Sequence, residues 1–352
     1  MTALVFAALR PLFLAAAIAL HLSHPLAGSA EAAGFADIEL TATPISRFGL
    51  TSDATRFGEL EFRGGLVLSS PAPSFGGLSG LDFEADGKRF VAVSDLGYWF
   101  RGTVERTNGW LTGISEPQWA PILNAEGRPL GAKRNADAEG LRLGHLNGAP
   151  VAYVSFEQTN DLKAYRQEPD LALSRPQPIR LPKSAKGIRR NRGFEALALA
   201  PQDSPLQGAP VLIAEETLNR AGDHRAFVVN GPLAGEFAVK RRDGFAVTDA
   251  DFLPNGDLVI LERRVIMPLG VQMRLRRIDA ARIRPGATVD GPVMLFADMS
   301  NQIDNMEGLS VTADPDGRTR LTLVSDDNRS FIQRTILLEF IWLGPQQAAA
   351  NE

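Results

Sequence analysis

Eight acidic residues recur at matching places along this chain, and their types and spacing point to cation chemistry. Glu139, Glu195 and Glu307 each open a short apolar segment, in Glu139-Gly140-Leu141, Glu195-Ala196-Leu197 and Glu307-Gly308-Leu309. Asp95, Glu157, Glu216, Glu262 and Asp326 each close the apolar segment that follows a unit's opening. Carboxylates brought together repel, and buried unpaired charge is costly, so either cations neutralise them or they face open water. Hard divalent cations, Ca²⁺ above all, bind about six to eight oxygens from carboxylates and carbonyls. The expected metal ligands are Glu139, Glu195, Glu262, Glu307, Asp95, Glu157 and Asp326. The competing reading for any one of them is a strand cap, an acceptor of backbone N–H groups, or an arginine partner. Zinc fits poorly: the chain has no cysteine, and beyond its first 32 residues only His145 and His224, with no helical i, i+4 pairing between them.

A basic set accompanies the acidic one. Lys183, Lys186, Arg189, Arg190 and Arg192 run into Phe194-Glu195; Arg263-Arg264 follow Glu262; Lys133-Arg134 precede Glu139. A guanidinium beside a metal-bound carboxylate suits phosphate, because its planar fork binds two oxygens. Arg192, Arg263, Arg189 and Lys186 are therefore the expected substrate-binding cations. The alternative is local pairing with the same carboxylates. Other chemistries lack their residues. No Gly-x-Ser-x-Gly occurs, and Gly77-Leu78-Ser79-Gly80 lacks the final glycine of a nucleophile elbow. A Ser-His-Asp triad would need His145 or His224, both in turn-like polar contexts. Neither a phosphate-binding glycine loop nor a dinucleotide fingerprint is present.

The elements that must position these residues form five similar units. Ser79-Gly80-Leu81-Asp82-Phe83 leads to Phe90–Asp95, Glu139-Gly140-Leu141 to Val151–Glu157, and Glu195-Ala196-Leu197 to Val211–Glu216. Asp249-Ala250-Asp251-Phe252 leads to Leu258–Glu262, and Glu307-Gly308-Leu309 to Leu321–Asp326. The spacing of about 55–60 residues is in the range of propeller blades. Asp86-Gly87, Asn255-Gly256 and Asp316-Gly317 fall between the paired segments, where a type I′ hairpin turn is expected. Leu60–Leu68 and Thr335–Leu343 are strand candidates at the two ends, suited to pairing in one shared blade. Five units plus a shared blade predict an all-β, six-bladed β-propeller closed by N- and C-terminal strands; five or seven blades also fit. Arg101–Arg134 and Leu162–Arg192, polar and rich in Gly and Pro, are expected as long insertions projecting from one face. A helical turn is expected at Asp279–Ile283, stopped by Pro285-Gly286.

Residues 1–32 read as a secretory signal peptide: Arg10, an apolar run from Pro11 to Leu22, and Ala30-Glu31-Ala32 at the cleavage site. The run is shorter than the roughly 20 residues of a membrane span. Residues 33–352 are expected as one domain, periplasmic or secreted, with no membrane span after cleavage. An exported chain without cysteine relies on its core and any bound ions rather than on disulfides. The formal charge of −4 gives no reason to expect nucleic acid or an anionic membrane surface as partner. No exposed apolar stripe argues for an obligate dimer, so a monomer is expected.

Asn191-Arg192-Gly193-Phe194-Glu195-Ala196-Leu197, Val247–Gly256 with Leu261-Glu262-Arg263-Arg264, and Asn305-Met306-Glu307-Gly308-Leu309 resemble the phytase-like domain of exported bacterial proteins, described as "esterase-like activity of phytase". Gly76-Gly77-Leu78-Ser79-Gly80-Leu81 fits its start, and the resemblance runs from about Phe75 to Phe340. It implies a β-propeller and, by analogy with alkaline propeller phytases, Ca²⁺-dependent hydrolysis of phosphate esters by metal-activated water. No Asp-x-Asp-x-Asp run of those enzymes occurs. The expected function is an exported Ca²⁺-dependent phosphoesterase acting on a small-molecule phosphate ester or other ester. The alternatives are a non-catalytic propeller that binds a ligand or protein, and a metal-assisted esterase or lactonase.

Overall fold

The computed structural model describes residues 34–345 apart from 132, 191, 268, 269 and 315; the signal-peptide assignment falls outside the described residues. The lead-in contributes β1 (Ala36–Asp37), β2 (Thr41–Ile45), β3 (Arg56–Phe57) and β4 (Leu60–Ser69). Four blades follow in chain order. The first is β5 (Leu78–Phe83), β6 (Arg89–Ser94), β7 (Tyr98–Thr107) and β8 (Trp110–Pro121), with β1 on its outer edge. The second is β9 (Ala138–Leu146), β10 (Ala149–Phe156), β11 (Asp161–Arg166) and β12 (Gln177–Ile179). The third is β13 (Phe194–Leu199), β14 (Pro210–Leu218), β15 (His224–Val228) and β16 (Gly235–Val239). The fourth is β17 (Ala246–Phe252), β18 (Leu258–Ile266) and β19 (Gly270–Ile278). Of the next two strands, β20 (Thr288–Val289) returns to edge the third blade, and β21 (Val293–Ala297) completes the fourth.

The last blade corrects the expected count. β22 (Asn305–Ala313), β23 (Thr319–Asp326) and β24 (Thr335–Trp342) form one sheet with β4 and β2, in the order β2-β4-β24-β23-β22. The terminal strands do pair as expected, Ile336 opposite Val67 and Phe340 opposite Phe62. They complete the fifth unit instead of founding a sixth, so the propeller has five blades. The core agrees. Buried apolar side chains fall into five clusters, each at the seam between two neighbouring blades.

Two further expectations change. Arg101–Arg134 is mostly the outer strands β7 and β8 of the first blade and not an insertion, whereas Leu162–Arg192 holds strand only in β11 and β12 and is otherwise connection with two 3₁₀ turns. Outer strands bury one side only, so their polar alternation read as loop. The Asp-Gly and Asn-Gly turns are not type I′: of each pair only the glycine is left-handed, at φ 63°, 89° and 76° for Gly87, Gly256 and Gly317. Each glycine amide donates to the carbonyl three residues earlier, as Gly87 does to Glu84 at 2.9 Å. This is a type I turn continued by a left-handed residue, another route round a hairpin. The expected helical turn is a 3₁₀ turn at Ala280–Arg282, capped by Asp279.

Glycines let the five inner strands β5, β9, β13, β17 and β22 close into a ring. A Cβ on Gly140 would lie 2.7 Å from the Glu195 carbonyl oxygen of the next blade, and one on Gly308 2.9 Å from that of Ser79. The recurrent small residue after each opening Glu or Ser is thus a demand of close backbone approach. No helix among the described residues is long and apolar enough to cross a membrane.

Candidate functional site

Five β-bulges define one end of the central channel. In each inner strand one extra residue opposes the second strand of its blade: Ser79, Glu139, Glu195, Thr248 and Glu307. A bulge bends its strand and re-aims the side chain. Repeated at the start of every inner strand, it brings Glu139, Glu195 and Glu307 into mutual electrostatic contact. On the second strands the equivalent residues are Asp95, Glu157, Glu215, Arg263 and Asp326. Each directly follows the partner of the residue before the bulge, as Asp95 follows Ser94 and Arg263 follows Glu262. Asp137, just before β9, joins them.

Two groups of three carboxylates could each hold a metal ion: Asp137, Glu139 and Glu157, and Glu157, Glu195 and Glu215. Within each group, one oxygen per residue lies within 4.8 Å of the others. Glu157 belongs to both. Burial dominates the electrostatics. Desolvation, reinforced by neighbouring carboxylates, pushes Glu139 and Glu195 well above the usual glutamate range. Desolvation likewise raises Glu307 to about 8 despite Arg263, and Glu157 to about 7 despite the Gly193 N–H it accepts. Asp326 rises to about 7 for the same reason. Two buried oxygens, Glu195 Oε2 and Asp95 Oδ1, have no hydrogen-bond partner among the described residues. An all-oxygen donor set with spare acceptors suits a hard divalent cation.

Two cations temper this charge. Arg263 Nη1 reaches Glu307 at 2.6 Å and also Asn305, while Nη2 reaches Glu215 at 3.1 Å. Burial works against its charge, but Glu307, Glu195 and Glu215 outweigh it and raise its pKa. At the mouth, Lys133 Nζ from the short helix α1 (Lys133–Ala136) donates to Asp95 at 2.6 Å and lies 3.8 Å from Asp137.

Of the sequence-predicted ligands, Glu139, Glu195, Glu307, Asp95, Glu157 and Asp326 come together. Glu262 does not. It is fully buried, and both its oxygens accept from Arg274 and Arg276, at 2.6–3.3 Å. Successive strand residues face opposite sides, so the pocket receives Arg263 and the inter-blade core receives Glu262. The same one-residue slip separates Glu216, which pairs with Arg241 and Arg192, from Glu215. Of the predicted substrate cations, Arg263 lies in the pocket already engaged by carboxylates. Lys186, Arg189 and Arg192 are exposed on the connection into β13. Asp137 and Glu215 went unrecognised in the sequence. Counting positions from the recurrent glycine would have exposed Glu215; Asp137 lies outside the repeat.

The channel is closed beneath this pocket. Arg142 of β9, buried, donates to the carbonyls of Leu81, Leu141, Ala250 and Leu309 and to Asp249 at 3.1 Å. Asp249 also accepts from Leu309 N at 2.8 Å and Leu197 N at 3.4 Å. This pair therefore touches all five inner strands. Asp249 stands where the other blades carry Gly80, Gly140, Ala196 and Gly308, so its side chain has the axis to itself.

Among curated proteins, none matches this sequence significantly. Among solved structures, the PQQ-bound form of an aldose sugar dehydrogenase from Streptomyces coelicolor is similar at 14% identity and a TM-score of 0.42. The match covers 78% of this chain and 98% of that one. The N-terminal domain of Nup159 follows at 10% identity and a TM-score of 0.37, covering 84% and 98%. At such scores neither bears on the site. A family model described as "Phytase-like: Esterase-like activity of phytase" matches residues 73–329, which takes in every inner strand and every pocket carboxylate. The chain belongs to the phytase-like family.

Proposed function

We propose that this propeller is a hydrolase of phosphate esters that depends on divalent cations, with Ca²⁺ the best fit to its donors. The observation that carries the reading is the pair of largely buried carboxylate groups sharing Glu157 at one end of the inner-strand ring. Asp137, Glu139 and Glu157 would hold one ion, and Glu157, Glu195 and Glu215 a second. When bound, such a cation polarises a phosphoryl oxygen and makes water more acidic. The protein's own groups do the rest. The Arg142–Asp249 pair floors the pocket, so substrate and product share one mouth. Arg263 holds Glu215 and Glu307 in place and offsets part of their charge. Lys133, 63% exposed at the mouth, is placed to meet an entering phosphate. Lys186, Arg189 and Arg192 would bind further phosphate groups at the rim. Export to the periplasm or medium belongs to the same proposal, and N-terminal sequencing of the protein from cell fractions tests it.

A neutral ester or lactone is the second reading, and one observation favours it. The one arginine among the described pocket residues has its guanidinium engaged by Glu215, Glu307 and Asn305. No free guanidinium is left inside for phosphate. The test is hydrolysis of p-nitrophenyl phosphate, p-nitrophenyl acetate and a γ-lactone, with EDTA and after restoring Ca²⁺, alongside thermal unfolding. An ion at 100 times its dissociation constant adds about 2.7 kcal/mol of stability. A reversible rise in Tm with phosphatase activity supports the first reading, and ester or lactone turnover alone supports the second. No rise and no turnover would leave a binding propeller.

A further inference from the structure

On the face at the pocket mouth exposed apolar and cationic side chains stand out, beside exposed acids such as Asp243, which is paired with Arg274. In every blade the turn after the second strand and the connection into the next inner strand lie at the pocket end, because the pocket carboxylates sit where second strands end and inner strands begin. On blades four and five these turns carry apolar residues. Met267 ends the β18 side of its hairpin at 84% exposure, and Phe331 and Ile332, between β23 and β24, are 100% and 75% exposed. Met299 and Leu50 continue the set. Gly270 packs against the Met299 side chain, and Leu50 N donates to Ser300 O at 2.9 Å. The Phe331 turn is tied to the same connection by Arg334 N donating to Asp304 at 3.0 Å.

The flanking turns carry cations. Lys183, Lys186, Arg189 and Arg190 lie between β12 and β13, Arg220 between β14 and β15, and Arg329 beside Phe331; all are exposed. None of them forms an ion pair with another described residue. The net charge of −4 conceals this face, because the carboxylates are recessed in the channel while the cations stand on the rim.

We propose that this face docks on an anionic lipid surface. Met267, Phe331 and Ile332 enter the headgroup region, and the lysines and arginines meet lipid phosphates. Apolar side chains on the tips of separate turns, with unpaired cations on neighbouring turns, suit a soft charged interface that admits each tip on its own. A protein partner would favour a continuous packed apolar patch with few charges at its centre. The docked pocket would open onto lipid headgroups.

The test is co-sedimentation of the full mature protein with vesicles of phosphatidylcholine alone or mixed with phosphatidylglycerol. Binding to the mixed vesicles only, weakened by salt, is expected. Phe331→Asp with Ile332→Asp should weaken it at least about tenfold, equivalent to about 1.4 kcal/mol. Lys186→Glu with Arg189→Glu should do the same. Lys88→Glu, on the opposite face, should leave it unchanged. The altered residues are exposed, and thermal unfolding checks that each variant is folded. The proposal is overturned if neither vesicle binds, or if the apolar double variant binds as well as the parent. A concentration-dependent dimer that the same variant dissolves would also overturn it, by assigning the face to a second copy of the chain.

Discussion

Glu157 is the residue on which both carboxylate groups turn, so its replacement separates charge from cation binding. Glu157→Gln keeps an acceptor for the Gly193 N–H, at 3.2 Å, and removes one negative charge from a crowded buried set. Without cations the variant should be more stable than the parent, by about 1 kcal/mol or more per unit of relieved pKa shift. It should also lose most of the Tm rise with Ca²⁺. A variant less stable in EDTA would mean that repulsion does not govern the pocket. The pH dependence follows from the same charges. Glu157, Asp326 and Glu307 titrate near 7, 7 and 8 when folded, against ordinary values of 4.5, 3.8 and 4.5. The folded state thus holds more protons than the unfolded state through this window, and stability falls as pH rises. Urea unfolding in EDTA should show a higher midpoint at pH 5 than at pH 8, and saturating Ca²⁺ should flatten the difference. At this scale the sequence was legible wherever the repeat kept its register. The glutamates that open three of the five units stand out because their neighbours repeat. Glu262 reads as a pocket residue because it is the acid in its segment, although the period of two gives that position to Arg263.

The inner strands explain which elements could be read. Their runs are buried on both faces, as in β17, where all seven residues from Ala246 to Phe252 are buried. An unbroken apolar run is easy to see. Outer strands such as β8 alternate half-buried and exposed residues with Gly and Pro, and that pattern is shared with loops. The bulges themselves leave no mark in composition. What marks them is the small residue that follows, and this gives a prediction. Gly140→Ala should destabilise by about 1–3 kcal/mol, as overpacking against a neighbouring strand does. The new methyl would press on the Glu195 carbonyl and the Leu197 side chain of the next blade. Gly317→Ala, with open space around it but φ at 76°, should cost only about 1 kcal/mol, from backbone strain alone. Denaturant midpoints of the two variants, compared with the parent, check the contrast. Equal losses would mean that the ring is not tight at Gly140.

For the whole molecule, blade number follows from how the two chain ends are shared. The sequence repeats five units, and the terminal strands complete the fifth blade and add none, which nothing in β4 or β24 alone reveals because neither says which sheet lacks outer strands. The hub was invisible for a related reason. Arg142 and Asp249 lie 107 residues apart, and only closure of the ring brings them face to face. Their pairing is a strong constraint on the closed state. Arg142 ties four inner strands through carbonyls, and Asp249 adds the fifth through Leu197 N. Desolvation raises Asp249 to about 7 and Asp251 to about 6 even with Arg142 beside them. Removing the guanidinium leaves both carboxylates buried without their cation, a change that typically costs about 3–5 kcal/mol. Arg142→Met should therefore lower the unfolding free energy read from urea titration by that amount. It should also make stability fall more steeply as pH rises from 5 to 8, since the unpaired aspartates would have to stay protonated. A loss below about 1 kcal/mol, with an unchanged pH profile, would mean that blade seams alone close the ring and that the hub only fills the channel.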